Sequence, residues 1–184
     1  MPATLDELHH EHINTARLMD VLEHQLKLLE ESGSVNIQLI RDVTEYIIHY
    51  PDLYHHPKED LVFELLRHKD REIEPVINHL LEEHKKLTDS AANLAGVIDD
   101  FENNKNAEIL ARVLQEYIDL TRSHMNIEET ELFPKANKLL TEDDWQEIEA
   151  GFTYVDDPLF GKVIHKQYEN IFNSIIEIEE KRKR

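Results

Sequence analysis

The chain has 184 residues, contains no cysteine and carries a formal net charge of -19 at pH 7. Without cysteine there are no disulfides, iron-sulfur ligands or thiolate metal sites, so any metal must be held by nitrogen and oxygen. So acidic a chain is not expected to bind nucleic acid or an anionic membrane, because both associations depend on Lys and Arg neutralising phosphates.

Long helices are predicted from the first residues onward, because 4 Gly and 6 Pro leave few positions that break a helix. Thr4 to Glu7 has the form of a capping box, and Ser32 to Ser34 is a plausible stop. Pro51 and Pro57 are expected to interrupt helix 2, because proline removes a backbone donor. The predicted helices cover about residues 4–31, 36–68, 75–103 and, after a polar turn at 103–106, the stretch up to 140.

The segment after Leu140 is predicted to be a helical extension. Thr141 opens a short helix that carries Trp145, and a turn at 156–161 leads into a last amphipathic helix. Its apolar residues need a surface, which is either the bundle itself or a homodimer interface. The predicted fold is all-α: an antiparallel up-down-up-down four-helix bundle over residues 1–140, with additional C-terminal helices over residues 141–184.

Two pairs of residues on helices 2 and 4 have the spacing of metal ligands. Residues four apart lie one above the other on a helix, so His55 with Glu59, and His124 with Glu128, each direct an imidazole and a carboxylate toward one point. One such pair alone is a common surface contact. Both pairs, however, continue the apolar seams of their helices.

A lone histidine interrupts the apolar seam near the start of helix 1, and another does so near the start of helix 3. His12 and His84 stand at positions where the spacing of three and four otherwise places core residues. In an antiparallel bundle, early positions on helices 1 and 3 share a layer with late positions on helices 2 and 4. All six residues are therefore expected at one depth.

The order H, HxxxE, H, HxxxE over four helices resembles the hemerythrin-like, or HHE cation-binding, family. The local strings LHHEH, HHPKED and HMNIEETELFP resemble family signatures, and the resemblance covers about residues 1–140. It implies a non-haem di-iron centre in which Glu59 and Glu128 bridge two iron ions and the histidines cap them. Manganese or zinc would also suit these donors. The implied metal ligands are His12, His55, Glu59, His84, His124 and Glu128.

The third helix departs from the oxygen-carrying hemerythrins, which have a second ligand histidine four residues before the first. Here that position is Leu80, so each ion is left with about two imidazoles and with open positions. Such positions suit chemistry of dioxygen, peroxide or nitric oxide better than stable oxygen carriage. His10 and His56 are expected to point away from the site, and a helix adjustment would be needed for His9, His10, His49 or His56 to fill an open position.

Three classes of function remain open from the sequence. The first is a module that binds or senses O2, NO or a related oxidant. The second is a di-iron enzyme that detoxifies peroxide, oxygen or NO, or that repairs iron-sulfur clusters, so enzymatic turnover is undecided. The third is a structural bundle without metal.

The location of the protein is predicted from its apolar segments. The first residues lack the basic start and apolar run of a signal peptide, and no later stretch is apolar enough to span a membrane. A cytoplasmic protein is therefore expected.

Overall fold

A computed structural model describes residues 2–183, and all regular secondary structure within that range is helical. The predicted all-α class is therefore confirmed. None of the helices in this range is long and apolar enough to cross a membrane. The helices are α1 (Ala3–Ser32), α2 (Ile37–His49), α3 (His56–Lys69), α4 (Glu74–Asn104), α5 (Ala107–Ile127), α6 (Phe133–Leu139), α7 (Glu142–Gly151) and α8 (Glu169–Arg182).

Four long rods form the bundle, and two of them contain a π-helical turn. Helices α1 and α4 are continuous, whereas Pro51–His55 joins α2 to α3 and Glu128–Leu132 joins α5 to α6 as π-helical turns. Such turns add a residue to the helical repeat and are often found at functional sites. Each rod packs beside its neighbour in sequence, and α5 also packs against α1, which closes the bundle.

The predicted capping box at the first helix is wrong. Helix α1 begins at Ala3, directly after Pro2, so Thr4 lies inside the first turn and its buried hydroxyl has no hydrogen-bond partner. Pro2 is the residue before the helix, and its carbonyl accepts a hydrogen bond from Asp6 N–H without any side-chain cap. The capping box is instead at α7, where Thr141 and Asp144 bond reciprocally.

The core consists of two apolar clusters with a polar layer between them. One cluster contains Leu8 and Leu80, and the other contains Met19 and Leu87. On α1, His12 lies between Leu8 of one cluster and Met19 of the other. On α4, His84 lies in the same way between Leu80 and Leu87. The apolar clusters therefore fix the depth at which the polar layer lies.

The C-terminal helices pack on this bundle. Helix α7 packs on α3 and buries Trp145 and Ile148, while α8 packs on α1 and α2 and buries Ile171 and Ile175. These apolar residues are thus covered within the chain itself.

Candidate metal centre

The polar layer contains all six side chains that the sequence singled out. They come from four rods and meet in the interior, where the two glutamates are fully buried and the four imidazoles are at most 7% exposed. The six residues are His12, His55, Glu59, His84, His124 and Glu128.

Each glutamate directs its two oxygens to opposite halves of the layer. Glu59 Oε1 lies 3.3 Å from His12 Nε2 and 3.2 Å from His55 Nε2. Its other oxygen, Oε2, lies 3.4 Å from His84 Nε2. One half of the layer therefore holds His12 and His55, and Glu59 extends from it to the other half.

Glu128 has the mirror-image arrangement. Its Oε1 lies 3.3 Å from His124 Nε2 and 3.7 Å from His84 Nε2, while its Oε2 lies 3.3 Å from His12 Nε2. Two carboxylates thus span the same pair of half-sites, each half lined by two imidazoles.

Most of these inward-facing atoms have no hydrogen-bond partner. Both oxygens of Glu59 and of Glu128 are buried and unpartnered, and so is the Nε2 atom of His12, His84 and His124. An unsatisfied buried polar atom costs about 1–3 kcal/mol, so an ordinary core does not collect seven of them in one layer. The donor set is imidazole nitrogen and carboxylate oxygen, which fits a metal cation.

A carboxylate orients each of the four imidazoles from behind. In every case Nδ1 faces the carboxylate and Nε2 faces the centre, which is the arrangement that outer carboxylates impose on metal-binding histidines. The four pairs are His12 with Glu129 at 2.8 Å, His55 with Glu11 at 2.7 Å, His84 with Asp60 at 3.0 Å, and His124 with Glu83 at 3.1 Å.

These four carboxylates, Glu11, Asp60, Glu83 and Glu129, form what we call the carboxylate ring. Glu11 on α1 bonds to a histidine of the second rod, and Asp60 on α3 bonds to one on α4. Glu83 on α4 bonds to a histidine on α5, and Glu129 bonds back to α1. Each rod therefore orients a histidine of the next rod. The contact from the fourth rod back to the first completes the ring.

Sequence reasoning missed the carboxylate ring, although a local signal exists. Each of its members is next to one of the six central residues, in the dipeptides Glu11-His12, Glu59-Asp60, Glu83-His84 and Glu128-Glu129. An acidic residue directly beside a candidate ligand is therefore the local pattern that points to the ring.

His56 does not point away from the site, contrary to expectation. Its ring stacks on that of His84, with centroids 4.3 Å apart and planes 16° from parallel. The physical reason is the π-helical turn Pro51–His55, which changes the helical register directly before this residue. Consecutive histidines, His55 and His56, therefore both reach the layer.

The carboxylates of the layer raise the pKa of imidazoles that they face. Burial alone would lower the pKa of His55, but the charge of Glu59 and the hydrogen bond to Glu11 raise it to about 9. Burial likewise opposes protonation of His84, yet contacts with Asp60, Glu128 and Glu59 raise its pKa to about 11. The pKa of Glu59 is well below its usual value, because the imidazolium charges outweigh the effect of burial.

The raised pKa values predict how the stability of the metal-free protein depends on pH. Imidazoles titrate near 6.5 in the unfolded chain, so the stabilising effect of each raised pKa is complete below 6.5; that of His55 disappears as pH rises through about 9, and that of His84 as pH rises through about 11. Urea unfolding of chelator-treated protein between pH 6.5 and 9 should show a falling free energy of unfolding. A control variant, His68→Gln, alters an exposed histidine and should retain the slope. A flat profile would contradict the pKa assignment.

A small cavity of about 20 Å³ borders the layer. That volume accommodates about one water molecule or a diatomic gas. Its lining residues are His12, Thr15, Ile47, Pro51, Asp52, His55, His56, Leu87, Tyr117, Thr121, His124 and Met125.

The fold and this layer together define an all-helical bundle protein with a buried group of imidazoles and carboxylates that could hold a metal ion. A model of the hemerythrin HHE cation binding domain matches residues 3–136. The match covers more than half of the chain, which therefore belongs to the hemerythrin HHE cation-binding family. Neither a curated protein nor a solved structure gives a significant match.

Proposed function

We propose that this chain holds two iron ions in the polar layer and binds or senses dioxygen, nitric oxide or a related oxidant there. His12 and His55 would hold one ion, and His84 and His124 the other. Glu59 and Glu128 would bridge the two ions. Manganese and zinc are alternative occupants, because both accept the same nitrogen and oxygen donors.

The observation that carries this proposal is the group of seven buried, unpartnered atoms that face one another across the layer. Carboxylate oxygens and imidazole nitrogens of the layer lie 3.2–3.7 Å apart, both within one rod and between neighbouring rods. Cations in the two half-sites would satisfy all of them at once. In a structural bundle without metal, these atoms would have only protonated imidazoles as partners, at contacts that do not have hydrogen-bond geometry.

The cavity supports a small ligand rather than an organic substrate. At about 20 Å³ it has room for a diatomic molecule beside the imidazoles. Ile47, Leu87 and Met125 line it with apolar surface, which keeps bulk water away from the layer. Bound iron would supply open coordination positions and a change of oxidation state, both of which such ligands need.

One feature favours an enzyme as the second candidate. Asp52 lines the same cavity, and its Oδ2 atom is buried without a hydrogen-bond partner. Reduction of dioxygen, peroxide or nitric oxide consumes protons, so an acidic group beside the ligand would serve a detoxifying enzyme better than a simple carrier. Turnover per bound iron with an added electron donor, lowered by Asp52→Asn, would support this candidate.

The proposal is tested by metal analysis of protein purified without a histidine tag, followed by absorption spectra of the reduced form. We expect two irons per chain and new absorption bands after dioxygen or nitric oxide is added. No metal, or zinc without a spectral response, would contradict the proposal.

The role of the cavity is tested by Leu87→Phe, which enlarges an apolar lining residue that is 4% exposed. The larger ring should fill the cavity while leaving every proposed ligand in place. We expect unchanged iron content but a strongly slowed spectral response to nitric oxide, measured by stopped flow. Ile109→Phe, at a 41% exposed position, is the matched control and should respond like the wild type. An equally fast response from both variants would exclude this cavity as the binding place.

A further inference from the structure

We infer that His56 is a fifth imidazole donor in this centre, bound to the ion on the side of His84 and His124. This inference rests on the proposed function, because it assigns one more ligand to the same two ions. It would give the two half-sites unequal donor sets, with three imidazoles on one side and two on the other.

The first observation is where the ring nitrogens of His56 lie. One of them belongs to a group of ligand atoms, all within 4.8 Å of one another, whose other members come from Glu59, His84 and His124. His12 and His55 form a second group of the same kind, which shares only Glu59 with the first. The geometry thus associates His56 with one half-site and leaves the other half-site with two imidazoles.

The second observation is that His56, like the four central histidines, has a carboxylate on the side of Nδ1, although the contact is longer than their hydrogen bonds of 2.7–3.1 Å. Its side chain is only 13% exposed, and its Nδ1 lies 3.4 Å from Asp52 Oδ1. A carboxylate behind Nδ1 leaves Nε2 as the nitrogen available to an ion. Asp52 would therefore orient His56 as Glu83 orients His124.

The third observation is local and explains why only one rod contributes two adjacent histidines. The π-helical turn Pro51–His55 directly precedes His56, whereas His124 lies within α5 and is followed by Met125. On α4, the position one helical turn before His84 is Leu80, which is fully buried in an apolar cluster. The extra imidazole therefore enters from the second rod rather than from α4.

Iron binding by His56→Phe tests the inference, because phenylalanine preserves the stacked ring but removes both nitrogens. Metal-free wild type and variant are dialysed anaerobically against buffered Fe²⁺, and bound iron is measured. We expect the wild type to bind two ions tightly. In the variant, one of the two ions should bind with an affinity that is at least about tenfold weaker. His68→Phe, at an exposed histidine, is the matched control and should bind iron like the wild type.

A second measurement needs no variant and decides the question even if His56→Phe does not fold. In crystals of the iron-loaded wild type, anomalous scattering should locate an ion about 2.0–2.2 Å from a ring nitrogen of His56. Two ions in the wild type with normal affinity in a folded His56→Phe, or an ion well beyond bonding distance, would overturn the inference and leave the proposed function intact. A wild type that takes up no iron would overturn both.

Discussion

Glu59→Gln and Glu128→Gln are each expected to leave the protein with at most one tightly bound ion. Each carboxylate is the group that directs one oxygen to the half-site of His12 and the other to the half-site of His84. Glutamine keeps the shape of the side chain but replaces one of these oxygens with an NH2 group, which cannot bind a cation. Loss of a bridging donor should therefore lower the binding affinity for at least one ion by more than about tenfold.

Metal content after equilibrium dialysis measures this effect directly. Glu131→Gln is the matched control, because that glutamate is exposed and lies in the same π-helical turn as Glu128. It should keep both ions. Near-full occupancy by two ions in Glu59→Gln and Glu128→Gln would refute the bridging role and with it the two-ion centre.

Stripping the metal is expected to lower the melting temperature substantially. A ligand that binds only the folded state at 100 times its Kd stabilises it by about 2.7 kcal/mol, so two ions would contribute roughly 5 kcal/mol. For a chain of this size, 1 kcal/mol corresponds to about 2–4 °C, which gives a shift of roughly 10–20 °C. Differential scanning calorimetry of chelator-treated and reloaded protein measures it at one pH and one metal concentration.

The double variant Glu59→Gln/Glu128→Gln provides the control for this shift. It lacks both proposed bridges, so adding metal should leave its melting curve where it is. If the wild-type curve were equally insensitive to metal, the bundle would be structural, and the histidines would serve only as partners of the carboxylates.

The six central residues were predictable because their signal is local. Each HxxxE pair lies within one rod, and His12 and His84 stand in seams whose other members are apolar, so spacing alone indicates which way they face. The four rods could be predicted for the same reason. The agreement in depth between early and late positions then followed from antiparallel packing.

The remaining features depend on contacts between rods or on irregular backbone, which spacing does not encode. The carboxylate ring was missed because each member contacts a histidine on another rod, such as Glu11 with His55. His56 was misjudged because a π-helical turn departs from the regular repeat that the prediction assumed. The start of α1 was placed too late because Pro2 begins the helix without a side-chain cap.

The carboxylate ring has a consequence for how the four rods find their register. Apolar seams made of leucine and isoleucine look much the same after a slide of one turn, about 5.4 Å, so such packing alone tolerates slipped arrangements. Every rod, however, both gives a carboxylate and receives one, and any rod that slipped would break two of these hydrogen bonds together. The carboxylates that orient the imidazoles therefore also fix the register of the rods along their axes. The same side chains serve the metal centre and the packing of the bundle.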